Sequence, residues 1–369
     1  MKRLTLGDVC KKESSNIAQK NLQDKKGAYP IYGASGLIKQ VGFYQQDKEY
    51  IAVVKDGAGI GRTMLLPAYS SVIGTMQYLL PKEGIPIDIK YLFYAVEHMN
   101  LAKYFSGATI PHIYFRDYQK EPINIPDIET QRKISQIFGK IDALITSRKE
   151  QRTKLDQIVK SRFIEMFGEP ENNNKAWPVK SLDKLCTVGS SKRVYQSEQS
   201  SEGVPFWRIS DLVSKIDTGT VDSALFISEI KYTELKRAGL VPVTGDILVT
   251  SRGTLGRCYI IQDEDCFYFQ DGMISWLSNY SEEITPLYLQ YLFTMSGFRK
   301  QIDNTQAGST VAYLSIAMLK KLQVMVPDKA LQEQFAAFVA QTDKSKLAIQ
   351  KSLEKLEILK KALMQKYFG

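Results

Sequence analysis

The 369-residue chain is poor in the side chains on which most catalytic and metal sites depend. It has only two histidines, His98 and His112, and neither has a second metal ligand at a useful spacing. It also lacks a phosphate-binding Walker loop, an HExxH zinc motif and the Asp/Asn-Pro-Pro-aromatic motif with which DNA amino-methyltransferases hold a flipped base. We therefore expect no catalytic, cofactor-binding or metal-binding residues in this chain.

The sequence also lacks a long apolar run. No stretch approaches the length needed to cross a membrane, and the first 15 residues have no signal-peptide core. The four cysteines (Cys10, Cys186, Cys258 and Cys266) are scattered, which is typical of a reducing cytoplasm. Cys258 and Cys266 could pair across a hairpin, but buried free thiols are the favoured interpretation. We predict a cytoplasmic protein that does not interact with membranes.

Acidic residues are in deficit, and the deficit is uneven. The net charge is +9, and residues 1–168 hold 25 basic against 17 acidic side chains, whereas the remainder holds 24 against 23. A basic balance favours a polyanionic partner, although many basic proteins never bind nucleic acid.

One long stretch occurs twice. Residues 129–168 and 330–369 superimpose without a gap at an offset of 201, so that Gln131 falls on Gln332 and Asp142 on Asp343. The same offset extends back to Gly107 and Gly308. Such a long ungapped offset indicates an internal repeat.

Both copies of this stretch lack an internal proline and are rich in helix-forming residues, which predicts two long helices. Their apolar residues alternate at three and four positions, as in a coiled-coil seam. The predicted seam residues are Ile134, Ile137, Ile141, Leu144, Leu155, Ile158, Phe335, Phe338, Ile349, Leu356, Leu359 and Leu363. Two unrelated amphipathic surface helices are the alternative, and the shared register argues against it.

The remainder forms two strand-rich globules that share a plan and differ in detail. We predict an α+β protein with similar mixed α/β domains at 1–128 and 169–329, each followed by a long helix at 129–168 and 330–369. The offset between the halves grows from 176 at Leu6 and Leu182 to 201, so the second globule has net insertions. The Gly-, Pro- and Asn-rich segment 168–180 has the composition of a linker.

Each globule has a glycine-containing turn after a predicted strand, KDGAGIGR from Lys55 and SRGTLGR from Ser251. Neither has the spacing of a dinucleotide-binding loop, so we interpret both as strand-to-strand turns in which glycine permits close approach. Arg and Gln side chains can fork onto guanine and adenine, and Lys can hold phosphates. The candidate DNA-contacting residues are Tyr32, Lys39, Lys55, Arg62, Gln77, Arg193, Trp207, Arg208, Arg252, Arg257 and Gln270. Each of them individually could equally be an ordinary surface residue.

The duplicated globule-plus-helix plan resembles the specificity subunit of type I restriction–modification systems. The residues that carry the resemblance are PDIETQ (126–131) and PDKALQEQ (327–334) at the helix starts, the Gly107 and Gly308 segments, the junction 160–182 and the paired turns. Together these motifs occur in the same order twice and cover essentially the whole chain.

The resemblance implies that each globule is a target-recognition domain for one half of a bipartite double-stranded DNA site. The long helices would pack antiparallel as a spacer, giving a pseudo-twofold molecule. Two methyltransferase subunits and two translocase-endonuclease subunits would bind it and supply the S-adenosylmethionine, ATP and Mg chemistry. The alternative is a non-catalytic coiled-coil adaptor that joins two protein-binding globules.

Overall fold

The computed structural model describes residues 2–107, 111–305 and 312–369. These residues form two compact units. The first contains the chain up to Gln151 together with Ile349–Gly369, and the second is Arg152–Ala348. Each unit therefore holds one globule and part of both long helices.

The first unit is built on a four-stranded antiparallel sheet. Its elements in chain order are β1 (Lys2–Thr5), α1 (Leu6–Val9), β2 (Cys10–Ser14), β3 (Tyr29–Gly33), β4 (Gly36–Val41), β5 (Tyr50–Val54), β6 (Thr63–Leu66), β7 (Ser71–Val72), β8 (Met76–Pro81), α2 (Ile89–His98), α3 (Phe115–Tyr118), β9 (Pro122–Ile125) and the start of α4 (Ile128–Phe167). The main sheet has the order β2-β8-β5-β6, and β4-β3-β7 and β1-β9 form smaller sheets. The residues of β5 are apolar and partly β-branched, which suits an interior strand of the main sheet, and all five of them are buried.

The second unit has the same main sheet and a different insert. Its elements are β10 (Val179–Ser181), β11 (Thr187–Gly189), β12 (Gln199–Ser200), β13 (Val204–Trp207), α5 (Ile209–Thr218), β14 (Phe226–Ile227), α6 (Glu229–Arg237), β15 (Ile247–Thr250), β16 (Cys258–Ile260), β17 (Tyr268–Phe269), β18 (Ile274–Ser278), α7 (Pro286–Leu292), α8 (Ser296–Asn304), α9 (Ile316–Lys321), β19 (Gln323–Met325) and α10 (Lys329–Phe368). The order β11-β18-β15-β16 reproduces β2-β8-β5-β6, and β10-β19 reproduces β1-β9. The sheet β12-β14-β13-β17 and the helices α5 and α6 occupy the part of the chain in which the offset between the halves increases.

The long helices α4 and α10 have 40 residues each and begin and end within one residue of the predicted stretches. In the first unit, the Phe138 ring lies 5.8 Å from the Phe368 ring, and Asp142 forms an ion pair of 2.9 Å with Lys360. Because a later residue of α4 meets an earlier residue of α10, these segments run antiparallel.

The second unit contains the complementary halves of the two helices. The Phe163 ring lies 5.5 Å from the Phe335 ring, and Asp156 forms an ion pair of 2.7 Å with Lys346. These segments are antiparallel as well, by the same argument.

The predicted seam is wrong at four positions. Ile137, Leu144, Ile158 and Leu359 are between 37% and 49% exposed. The buried face passes instead through Phe138, Val159, Phe163, Val339 and Leu353, which the prediction omitted, together with Ile134, Ile141 and Phe335, which it included. Leu155, Phe338, Ile349, Leu356 and Leu363 are half-buried. One residue turns a helix by about 100°, so neighbouring apolar pairs such as Ile137 and Phe138 offer two possible faces, of which only one is buried.

All four cysteines are free thiols, so the sequence-based preference over a Cys258–Cys266 disulfide is confirmed. Cys10 and Cys186 are buried, Cys258 is half-buried and Cys266 is exposed, which corrects the expectation of burial for Cys266. Within the described ranges, no helix is long and apolar enough to cross a membrane.

Candidate nucleic-acid interface

Two turns hold several of the candidate DNA-contacting residues, one turn in each unit. The first turn (residues 55–62) joins β5 to β6, and the second turn (residues 251–257) joins β15 to β16. In the first turn, Val54 N–H donates to Arg62 C=O at 2.9 Å and Gly61 N–H donates to Val54 C=O at 2.8 Å. Thr250, Arg257 and Gly256 form the same two bonds in the second turn, at the same distances. The two turns therefore share a backbone frame, although the second is one residue shorter.

Each turn is also fastened to a later part of its own unit. Ile113 N–H donates to Lys55 C=O at 3.0 Å, and Leu314 N–H donates to Ser251 C=O at 3.0 Å. Residues 113 and 314 are separated by the repeat offset of 201. The same backbone hydrogen bond therefore joins the turn to Ile113 in the first unit and to Leu314 in the second.

Glycine is required at the ends of these turns for two reasons. Gly61 and Gly256 have positive φ angles of +79° and +69°, a region that L side chains rarely adopt. A Cβ on Gly61 would lie 2.3 Å from the backbone nitrogen of Ala102, and one on Gly256 would lie 2.6 Å from the Ile302 side chain. Both glycines thus permit the close approach that the sequence predicts.

In the first unit, most of the candidate side chains have protein partners. Arg62 is exposed and donates from Nη1 to Ala34 C=O at 2.9 Å, and Lys55 lies 3.1 Å from the Asp56 carboxylate. Lys39 donates from Nζ to Leu22 C=O at 2.7 Å, so it caps the C-terminal end of the 3₁₀ turn Gln19–Leu22. Tyr32 is half-buried on β3.

In the second unit, the exposed candidates lie beside carboxylates or aromatic rings. The Arg252 guanidinium lies 5.2 Å from the centre of the Tyr313 ring, and Arg193 pairs with Asp271 at 2.9 Å. Arg208 is exposed, and its backbone N–H donates to the Asp211 carboxylate at the start of α5. Gln270 is half-buried, and its N–H donates to Trp207 C=O.

Arg257 is held by a fork-to-fork ion pair with Asp217 of α5. Both terminal guanidinium nitrogens bond to the carboxylate, with Nη1 at 3.1 Å from Oδ2. This hydrogen-bonded pair lowers the pKa of Asp217 and raises that of Arg257. Arg257 can contact a phosphate only if it leaves or shares Asp217.

Gln77 and Trp207 are corrected, because the structure places both side chains in the core. Gln77 is 1% exposed and donates to the Tyr118 hydroxyl. Trp207 is 5% exposed, and its ring stacks on Phe267 with the ring centres 3.5 Å apart. Neither side chain has the exposed surface that a base or phosphate contact needs.

Two buried glutamines, whose role the sequence pattern did not indicate, each join one globule to a long helix. Gln131 is fully buried at the start of α4, accepts from Asp88 N–H at 2.8 Å and donates to the carbonyls of Pro86 and Pro126 at 3.0 and 2.9 Å. Gln332 makes the same three contacts at the start of α10, to Thr285 N–H and the carbonyls of Glu283 and Pro327, all at 2.8 Å. The repeat offset already paired these residues, but their role required the contacts.

A charged cluster fastens α10 to the first globule. Lys360 forms ion pairs with Asp142 at 2.9 Å and with Glu97 at 3.3 Å, and it lies over the Tyr94 ring. Burial lowers the pKa of Lys360, but the hydrogen bond to Asp142 and the charge of Glu97 outweigh burial and raise the pKa above its usual range. The lysine is thus retained as a cation in a half-buried position.

The long helices also expose apolar side chains at matched positions of the repeat. In the second unit, Ile158 and Phe338 line a shallow groove with Lys154 and Arg162. The repeat offset places Leu359 and Ile137 of the first unit at the positions of Ile158 and Phe338. Ile137, Ile158 and Leu359 are exposed, so each unit exposes apolar side chains at equivalent positions of the repeat.

Metal-binding geometry is not found in the ranges 2–107, 111–305 and 312–369, where no group of three or more His, Cys, Asp or Glu side chains could hold an ion.

A family model described as the type I restriction modification DNA specificity domain matches residues 1–157 and 174–360. The chain belongs to this family. A predicted type I restriction enzyme specificity subunit of Haemophilus influenzae is 24% identical over 352 residues, which cover 92% of this chain and 88% of that protein. The MjaVIII specificity subunit of Methanocaldococcus jannaschii is 22% identical over 331 residues, covering 85% and 77% of the two chains.

The fold of this family member is similar to that of a solved structure of a type I restriction–modification S subunit from M. genitalium. The two superimpose with a TM-score of 0.60 at 17% identity and cover 100% of this chain and 96% of that one. The family assignment identifies the chain as a type I specificity subunit with DNA target-recognition domains.

Proposed function

We propose that the two globules each read one half of a bipartite double-stranded DNA site and that the two long helices set the gap between the half-sites. The match of the specificity-domain family to both halves of the chain is the observation that carries this proposal. The shared main sheet supports it, since one scaffold with two different inserts is what two readers of different sequences need. The length of the helices would then fix the spacing of the half-sites, as in other two-part DNA readers.

The chain supplies sequence choice, and its partners supply the chemistry. Two methyltransferase subunits would bring S-adenosylmethionine, and two translocase-endonuclease subunits would bring ATP and Mg. The exposed apolar side chains of Ile158 and Leu359 are suited to bind two copies of one methyltransferase, because they occupy equivalent positions of the repeat.

The adaptor with two protein-binding globules is the second candidate. An adaptor is compatible with the helices and the duplicated plan, but it does not require arginine or lysine side chains that contact DNA. Salt titration separates the two functions, because phosphate contacts release counterions and make DNA affinity fall steeply with salt. An adaptor would show no such DNA affinity.

The proposal is tested by sequencing the methylated bases of the host genome with and without the gene for this chain. We expect a methylated bipartite motif that disappears on deletion and returns when the gene is restored. The control is the purified chain incubated with DNA and S-adenosylmethionine, where no methyl transfer is expected. A motif that persists after deletion, or methyl transfer by the chain alone, would contradict the proposal.

A further inference from the structure

The two turns carry different chemistry at one matched position. Asp56 of the first turn pairs with His112 in an isolated antiparallel bridge, and Arg252 of the second turn pairs with Tyr313 in the same way. His112 and Tyr313 are separated by the repeat offset of 201. The shared frame therefore places a carboxylate in one unit where the other has a guanidinium.

In both units an aromatic ring of the later segment contacts the charged head group. A ring nitrogen of His112 hydrogen-bonds to one oxygen of the Asp56 carboxylate, and Lys55 Nζ lies 3.1 Å from the other oxygen. Asp56 and His112 keep about a quarter of their surface exposed, and each carboxylate oxygen has a further lone pair with which to accept from a ligand. The exposed Arg252 guanidinium lies over the Tyr313 ring at 5.2 Å. Because each head group is already held in place, less side-chain freedom is lost when it binds a ligand.

A glycine follows each head group, and its side-chain position is open among the described residues. Gly57 and Gly253 follow Asp56 and Arg252, and both have positive φ angles of +80° and +69°. A Cβ on either glycine would meet no atom within 4 Å among the described residues. Ranges 2–107, 111–305 and 312–369 therefore leave space at the side-chain positions of these two glycines, through which another molecule could approach the turn.

We propose that Asp56 and Arg252 are equivalent base-reading positions, with Arg252 donating to a guanine in one half-site and Asp56 accepting from a cytosine in the other. Arginine forks onto guanine O6 and N7, and a carboxylate accepts from the cytosine N4 amino group, both in the major groove. His112 and Tyr313 are positioning residues for the two head groups. This inference rests on the proposed function and adds to it the bases that the two turns read.

The decisive variants exchange one base preference for another. Arg252→Gln and Asp56→Asn replace the head groups by amides, which match adenine. Each variant is made in the full chain, co-expressed with its methyltransferase partner and tested on a plasmid library that randomises both half-sites. We expect Arg252→Gln to lower the preference for guanine at one position by about 10- to 100-fold and to raise adenine there. Asp56→Asn should change cytosine toward adenine at one position of the other half-site.

The controls separate base reading from folding and from general charge. Arg237→Gln on α6 and Asp24→Asn are exposed matched changes outside the turns and should leave both half-sites unchanged. His112→Phe removes the hydrogen bond to Asp56 and should relax the same position as Asp56→Asn, and no other. The unaltered half-site reports, within each experiment, that the variant is folded.

A wild-type motif that neither Arg252→Gln nor Asp56→Asn changes would overturn the inference while leaving the proposed function intact. Equal loss at both half-sites, or loss of all methylation by variants with wild-type melting temperatures, would also overturn it. If a variant melts early, Arg252→Met, which keeps the long side chain but has no donor, and His112→Phe take its place, and unchanged base preference in both counts against the inference. A wild-type chain that directs no bipartite methylation would instead refute the proposed function itself.

Discussion

At the scale of single residues, the glutamines at the starts of α4 and α10 show how a short motif becomes a structural joint. An amide side chain has two donors and a carbonyl acceptor, so one buried glutamine can satisfy three backbone groups at once. Gln131 does so for Pro86 and Asp88, which lie just before α2, and for Pro126, which lies just before α4. The motif residue is thus explained by backbone groups that would otherwise be buried without partners.

We expect Gln131→Ala to lower the free energy of unfolding of the first unit by about 2–4 kcal/mol, because buried backbone groups would lose their partners. Gln136→Ala is the matched control, since Gln136 is exposed on the same helix and its removal should change stability by less than about 0.5 kcal/mol. Hydrogen exchange in β5 of the first unit and β15 of the second measures the two units separately. Equal stability of the two variants would show that the joint does not depend on this side chain.

The residue scale is also where sequence reasoning fails most. Gln77 and Trp207 match the residue types of a DNA surface, but sequence pattern cannot tell a buried hydrogen-bonded Gln from an exposed one. The bridges from Asp56 to His112 and from Arg252 to Tyr313 join positions that are far apart in the chain. The offset of 201 relates residue 112 to residue 313, but it does not relate either residue to its partner in the turn.

At the scale of elements, the sequence predicts more. The long helices follow from composition, the absence of proline and the repeat, and their observed ends agree to within one residue. The phase of the buried face does not follow, because adjacent apolar pairs such as Ile158 and Val159 fit either face. Contact with the globule determines which of the two faces is buried, and the local sequence of the helix does not predict that contact.

The end of α10 illustrates such a contact, because it completes the core of the first unit. Met364 is buried there, and the Phe368 ring lies 5.2 Å from Tyr91 and 5.8 Å from Phe138. The globule that starts the chain thus packs against residues from the far end of the sequence.

We expect Phe368→Ala to destabilise the first unit by about 2–4 kcal/mol, since truncation of a packed aromatic leaves a cavity. Ile358→Ala on the same helix is the control, because Ile358 is 68% exposed and should change stability by less than about 0.5 kcal/mol. Hydrogen exchange should rise in β5 and α2 and remain unchanged in β15 and α7. A rise confined to the last turn of α10 would mean that the globule is stable without it.

At the scale of the whole molecule, the proposed function assigns to the long helices the setting of the distance between the two half-sites. The two units have the same order of strands in the main sheet and differ in their inserts, which separates what is shared from what is specific. A change in a base-reading residue of one unit should then alter one half-site, whereas a change in helix length should alter only the gap between half-sites.

We expect four residues inserted into each long helix, near Arg148 and Ile349, to lengthen the preferred gap and to weaken binding. The insertion adds about 6 Å at roughly 1.5 Å per residue, and base pairs stack at about 3.4 Å, so the gap should grow by one or two base pairs. Four residues also rotate a helix by about 40° beyond one full turn, whereas each added base pair rotates the distal half-site by about 34°. The rotation of the helix is close to that of one added base pair and about half that of two. If the gap grows by two base pairs, twisting of the DNA or bending of the helices must supply the rest of the rotation.

Methylation of a library with fixed half-sites and a variable gap measures the preferred gap. Double substitutions at the two insertion points, which leave the helix lengths unchanged, serve as controls. An unchanged optimum with efficient methylation would mean that another element sets the distance.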